Sequence, residues 1–163
     1  MEKKWKIQME LYVGGYAQEK TTYVMEMIAR DSEASKVLLL DERDCARLFG
    51  GDLEERIIIL QHFHLMVQRE LRQIVPHEEK RQQTNGEEAD LTLWFQKLTD
   101  RIQVWEQEGR RVIVISDEVG NGIVPVDGFE REWREWVGRL LIRFAKQADR
   151  VERVICGLGQ RIK

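Results

Sequence analysis

The chain has 163 residues, with 26 Lys or Arg against 29 Asp or Glu, for a formal net charge of −3. Acids and bases are interspersed, which excludes the basic stripe of a nucleic-acid-binding surface. No apolar run approaches the ~20 residues needed to cross a bilayer, and the opening MEKKWKIQMELYVGG lacks a signal-peptide core.

The length predicts one domain, residues 1–163, able to bury ~70% of its unfolded surface. Cys45 and Cys156 have no partner motif. They predict free thiols in a cytoplasmic protein, with neither a disulfide nor a metal site built on cysteine.

In chain order, Ile7 to Val13 alternates imperfectly and ends at Gly14-Gly15, which predicts a first strand. Thr21 or Thr22 is the expected cap of a helix carrying Val24, Met25 and Ile28. Lys36 to Asp41, KVLLLD, predicts a second strand. Leu53 to Ile74 reads as one long helix with Leu53, Ile57, Leu60, His64, Val67 and Leu71 on one stripe. Pro76 to Ala89 is polar and without periodicity, which predicts a mobile loop over residues 76–90 and no central strand there.

Asp90 is the expected cap of a helix whose stripe is Leu91, Trp94, Phe95, Leu98, Ile102 and Trp105, stopped by Gly109. Val112-Ile113-Val114-Ile115 suits a strand buried on both faces of a parallel sheet. Asp127 with Glu130 makes a capping box for an amphipathic helix through Phe144, and Val151 to Cys156 is a last strand. Strands alternating with helices in this way predict a three-layer α/β domain of the P-loop type, with a mainly parallel central sheet.

Two loops carry chemistry. A phosphate-binding loop requires GxxxxGK[ST] between a strand and a helix: backbone N–H groups wrap the phosphates, the lysine reaches them and the hydroxyl holds Mg²⁺. Gly14, Lys20 and Thr21 fall in that register, with Gly15 beside them, but Glu19 replaces the glycine before the lysine. A carboxylate ~4 Å from a phosphate charge costs up to ~4 kcal/mol at an effective dielectric of 20. The second loop, Ser116-Asp117-Glu118 with Gly120 and Gly122, follows the strand at Val112. Ligands of open α/β sheets bind beyond such carboxyl ends.

The segments GGYAQEKT at Gly14 to Thr21, LTLW at Leu91 to Trp94, EVGNGIVP at Glu118 to Pro125 and the final VERVICGLGQRIK together resemble the bifunctional adenosylcobinamide kinase/adenosylcobinamide-phosphate guanylyltransferase family of cobalamin biosynthesis. The resemblance implies GTP or ATP with Mg²⁺ as nucleotide, and phosphorylation of a hydroxyl on a corrinoid, cobinamide. It also implies transfer of GMP through a guanylylated histidine, in a homo-oligomer that is usually a trimer. On this basis Gly14, Gly15, Lys20, Thr21 and Glu118 are the expected nucleotide contacts. Thr21 and Asp117 are the expected metal ligands.

Three positions depart from the family pattern besides Glu19. The nucleotide-accepting histidine has its place taken by Leu60. On a continuous helix His62 would lie about 200° round from it, and His64 on the same face about 6 Å further on. Both are the candidate acceptors, and the missing histidine predicts little covalent label from GTP. Ala89 stands where the family has its metal-holding aspartate, and Asp117 where it usually has asparagine. The chain is therefore either an enzyme of this type with a degenerate active site, or an inactive paralogue that acts as a binding or regulatory partner of an intact member.

Overall fold

The structure, a computed structural model, describes residues 8–31, 36–74 and 84–163, the side chains of 84–89 excepted. Its elements are β1 (Met9–Gly14), α1 (Lys20–Arg30), β2 (Val37–Leu40), α2 (Cys45–Leu48), β3 (Ile57–Leu60), α3 (Phe63–Ile74), α4 (Thr84–Gln107), β4 (Arg111–Asp117), α5 (Gly128–Gln147), β5 (Arg150–Ile155) and β6 (Leu158–Arg161). One six-stranded sheet has the order β2-β3-β4-β1-β5-β6. Every pairing is parallel except the β5–β6 hairpin.

Alternation along each strand divides the apolar side chains between two faces. Met9 and Leu11, Ile58 and Leu60, and Val112 and Val114 join the larger core under α3, α4 and α5. Tyr12, Ile57 and Ile59, and Ile113 and Ile115 join a smaller core with Val24 and Ile28 of α1. Helices thus cover both faces of the sheet, the three-layer architecture expected from the sequence. On the α1 face, buried Glu10 accepts hydrogen bonds from the Tyr12 hydroxyl (2.5 Å) and from Arg111. Glu152 likewise accepts from Tyr23 (2.8 Å) and Arg150, so these buried carboxylates are all partnered.

Several local expectations are corrected. Leu53 to Ile74 is not one helix: Ile57–Leu60 is a fully buried central strand, and the helix begins only at Phe63. Four consecutive apolar residues fit a strand buried on both faces, and their period is then two. Residues 84–90 belong to α4 rather than to a loop, and Asp90 lies within that helix instead of capping it. The remainder of the expected mobile loop, 76–83, lies outside the described residues. Neither Thr21 nor Thr22 caps α1, whose N-cap is Glu19. The Asp127 cap is present: its carboxylate accepts from the Glu130 N–H at 2.7 Å, a contact worth ~1 kcal/mol. Gly109, at φ 78°, follows the end of α4 as expected. Among the described residues no helix is long and apolar enough to cross a membrane.

Candidate functional site

The carboxyl ends of β1, β3 and β4 open onto one cleft of about 670 Å³, lined by the 16–22 loop, Gln61, His62, His64, Asp117 and Trp133 among others. Gly14, the last residue of β1, leads into the loop. A Cβ there would collide with the backbone carbonyl of Val154 on β5, so only glycine allows β1 and β5 to approach this closely at that point. The loop then passes through Ala17 (φ 54°) and Glu19 (φ 58°, ψ 34°), both left-handed. Such a conformation costs a non-glycine residue roughly 1–2 kcal/mol. Glu19 therefore adopts the backbone shape that a glycine would supply in the phosphate-loop pattern, at a cost in strain.

Among the described residues, every non-glycine residue with positive φ lies at this end of the sheet: Ala17, Glu19, His62 and Cys156. Cys156 and Gly157 (φ 73°) form the turn of the β5–β6 hairpin. That turn grips the loop, because the Cys156 N–H donates to Gln18 Oε1 (2.7 Å) and the Gly157 N–H to the Gln18 carbonyl (3.2 Å). Gln18 carried no signal in the sequence, since its role depends on a hairpin far along the chain.

Lys20 and Asp117 form the electrostatic centre. Register pairs Gly14 with Asp117 across β1 and β4, which brings the Asp117 side chain beside the start of α1. Lys20 Nζ lies 2.6 Å from Asp117 Oδ1 and donates to the Gly15 carbonyl at 2.7 Å. Lys20 is only 8% exposed and Asp117 17%. The exposed Glu19 carboxylate, on the cleft wall, accepts from the Thr22 hydroxyl at 2.8 Å. Both charges that a phosphate would use, the lysine and the positive end of the α1 dipole, thus already face carboxylates of this chain.

His64 sits behind Asp117. Its Nδ1 accepts the Asp117 backbone N–H at 3.1 Å, which assigns the ring proton to Nε2, 3.6 Å from Asp117 Oδ2. Trp133 Nε1 donates to the His64 carbonyl at 2.7 Å. Burial pushes the His64 pKa down from 6.5 to about 4, against the opposing pull of Asp117. The imidazole is therefore neutral at neutral pH, with one nitrogen protonated and the other already bonded.

This depression makes a stability prediction. A group that stays neutral when folded stabilises the protein fully above its unfolded pKa, near 6.5, and that contribution is lost as the pH falls toward 4. The loss amounts to about 3 kcal/mol or less by pH 4. Thermal melts between pH 7 and 4.5 should fall more steeply for the natural protein than for His64→Gln; parallel curves would show that His64 does not resist protonation.

His62 differs on each count. It lies between β3 and α3 at φ 52°, exposed on the cleft, with its ring edge-on to His64 at 5.9 Å between centroids. Leu60 is the buried last residue of β3, so the helical rotation that favoured His64 over His62 does not apply. Glu118 is not brought into the cleft lining; it pairs with Arg153 at 3.1 Å and accepts from Asn121 at 3.3 Å.

Two oxygen donors line the cleft. The Thr21 hydroxyl and the Asp117 carboxylate are oxygen donors of the kind Mg²⁺ takes, with water and phosphate filling the rest of its shell. Among the described residues no cluster of three His, Cys, Asp or Glu could hold a metal by itself.

The sequence profile of the cobinamide kinase / cobinamide phosphate guanyltransferase family matches residues 17–162. The chain belongs to this family. It is 33% identical over 85 residues to the bifunctional adenosylcobalamin biosynthesis protein CobU of Salmonella typhimurium, a match covering 50% of this chain and 47% of that protein. With the protein of the same name from Escherichia coli it shares 38% over 53 residues, 32% of this chain and 29% of the other. The chain thus spans about half the length, or less, of these curated relatives.

Among solved structures, a DNA replication initiation factor superposes over 93% of this chain and 41% of its own, with a TM-score of 0.48 and 10% identity. That likeness is too slight to carry an argument. Of the positions that depart from the family pattern, Glu19 lines the cleft, whereas Leu60 ends the central strand β3, so the helical comparison that gave it the acceptor's place does not hold.

Proposed function

We propose that this chain is a nucleotide-binding member of its family whose phosphate site is neutralised by its own carboxylates. It would take GTP or ATP with Mg²⁺ in the 15–22 loop, weakly, and it has lost efficient guanylyl transfer. The observation that carries this reading is the Lys20–Asp117 contact of 2.6 Å beneath the left-handed turn at Glu19, inside the cleft. Glu19 turns left-handed where the phosphate-loop pattern has glycine, while the lysine that would meet the phosphate is already paired.

In this reading Lys20 must leave Asp117 before it can reach a phosphate oxygen. The N–H groups at the start of α1 and the Thr21 hydroxyl then face the phosphate chain. Mg²⁺, held through Thr21 and Asp117, would supply charge neutralisation on the phosphates. The corrinoid hydroxyl and a trimeric assembly are carried over from the resemblance alone, and belong to the same proposal.

Guanylyl transfer needs a histidine nitrogen with a free lone pair, to form an N–P bond as the bond to pyrophosphate breaks. His64 has none to offer, and His62 is exposed but lies in the connection after β3 rather than at position 60. Labelled GTP with Mg²⁺ is therefore expected to leave little acid-labile label on the protein. Stoichiometric label that disappears in His62→Ala and persists in His64→Ala would overturn the loss and make His62 the acceptor.

A second reading is favoured by the cleft itself, where Asp117 already holds Lys20 and its backbone N–H already occupies His64 Nδ1. The chain would then be a catalytically inactive paralogue that binds or regulates an intact family member. Calorimetric titration with GTP and with ATP, each with Mg²⁺, separates the two: heat of binding supports the nucleotide reading, and its absence in both the natural protein and Glu19→Gly supports the paralogue.

A further inference from the structure

Away from the cleft, the outer face of α4 carries exposed positions at spacings of three and four residues. These are Asp90, Leu93, Lys97, Asp100, Val104 and Gln107, all on one stripe. Leu93 is 54% exposed and Val104 39%, and Phe49, 45% exposed, extends the apolar surface from beyond α2. With Trp94 and Arg101, all of these but Gln107 line a groove of about 630 Å³. The stripe runs for ~26 Å, nearly five turns of helix.

We propose that this face pairs with α4 of a second copy of the chain, antiparallel and about a twofold axis. The stripe is self-complementary in charge. When two copies of a helix oppose each other antiparallel, with the axis midway between residues 97 and 100, residue k faces residue 197 − k. Lys97 then faces Asp100 of the second copy and Asp100 faces its Lys97, while Leu93 faces Val104 on both sides and Asp90 faces Gln107. Two opposite-charge pairs form the centre, and two apolar pairs flank them.

The same stripe follows the alternating three- and four-residue spacing of an antiparallel helix seam, where first and fourth heptad positions meet across the pair. A parallel pairing would instead place Lys97 on Lys97 and Asp100 on Asp100, repelling at both positions. The sequence of the stripe therefore selects one orientation and one partner, itself. This contact is independent of the nucleotide reading. It is also independent of any threefold assembly, with which it would combine to give particles of even copy number.

The test is a charge-swap cycle read by sedimentation equilibrium over a concentration series of the full chain. The natural protein should associate through an even-numbered step. K97E and D100K should each raise its dissociation constant by about tenfold or more, since each turns two symmetric attractions into repulsions. The double variant K97E/D100K should return to the natural value, because the swap restores both pairs with reversed polarity. Both substitutions lie on an exposed helix face, and unchanged circular dichroism excludes misfolding as the cause of any loss. A natural protein that stays monomeric, single variants that associate as tightly as the natural chain, or a double variant no better than the singles would each overturn the proposal.

Discussion

Glu19→Gly is expected to tighten GTP and ATP binding by roughly one to three decades, the upper figure set by a carboxylate ~4 Å from phosphate at an effective dielectric of 20. Two obstacles are removed together. The carboxylate leaves the cleft wall, where it now meets Thr22, and the left-handed conformation at φ 58° passes to the one residue that holds it without strain. Glu19→Gln separates these effects, since it deletes the charge and keeps the Cβ. If charge dominates, Gln recovers most of the gain; if strain dominates, Gln recovers little. Micromolar GTP binding by the natural protein, unchanged in Glu19→Gly, would mean that the carboxylate does not oppose phosphate.

The largest effect on stability is expected at Asp117. Asp117→Ala removes the counter-charge of a lysine that is 8% exposed and leaves it with only the Gly15 carbonyl. Breaking one partner of such a pair costs about 3–5 kcal/mol, a fall in melting temperature on the order of 10 °C or more in a chain of this size. Substituting both residues by apolar ones of similar size, Lys20→Met with Asp117→Leu, should recover most of the loss, because no uncompensated charge is left behind. Asp117→Asn, which restores the residue usual in the family, should cost less than alanine and free Lys20 for phosphate. Urea denaturation of the four proteins decides the matter: a loss below about 1 kcal/mol for Asp117→Ala would show that Lys20 is hydrated rather than dependent on its partner.

The sheet was legible where strands stand between clear breaks. Val112 to Ile115 is bounded by Arg110-Arg111 and by Ser116-Asp117, and both it and its neighbour β1 were expected as strands. Ile57–Leu60 was not, because a four-residue strand buried on both faces shows no alternation and its apolar run merges with the stripe of the helix behind it. Three consecutive isoleucines, β-branched and followed by the polar Gln61 and His62, were the signal that distinguishes strand from helix here. The hairpin ending in β6 was hidden because the first residue of its turn is a cysteine at φ 51°, where glycine or asparagine would announce it.

The site was half legible. The spacing of Gly14, Lys20 and Thr21 located the loop, and Asp117 was placed at a strand end facing it. That Asp117 closes on Lys20 follows from strand order, which puts β4 beside β1, and no local pattern encodes strand order. The roles of His62 and His64 depended on the secondary structure between residues 57 and 63, so the error there carried directly into the site.

The central position of β1 also has a kinetic consequence. Its two neighbours are β4 and β5, so Gly14 waits for Asp117 on one side and Leu11 for Val151 on the other. Among the described residues both neighbours of this strand lie at or after Arg111, and the loop that follows it stays without its Gln18 anchor until the hairpin turn at Cys156 has emerged. Closure over such sequence separations is slow, on the millisecond-to-second scale typical of non-local pairing. The nascent chain therefore carries β1 unpaired until β4 has emerged, and the 15–22 loop gains its anchor only once the β5–β6 turn has formed.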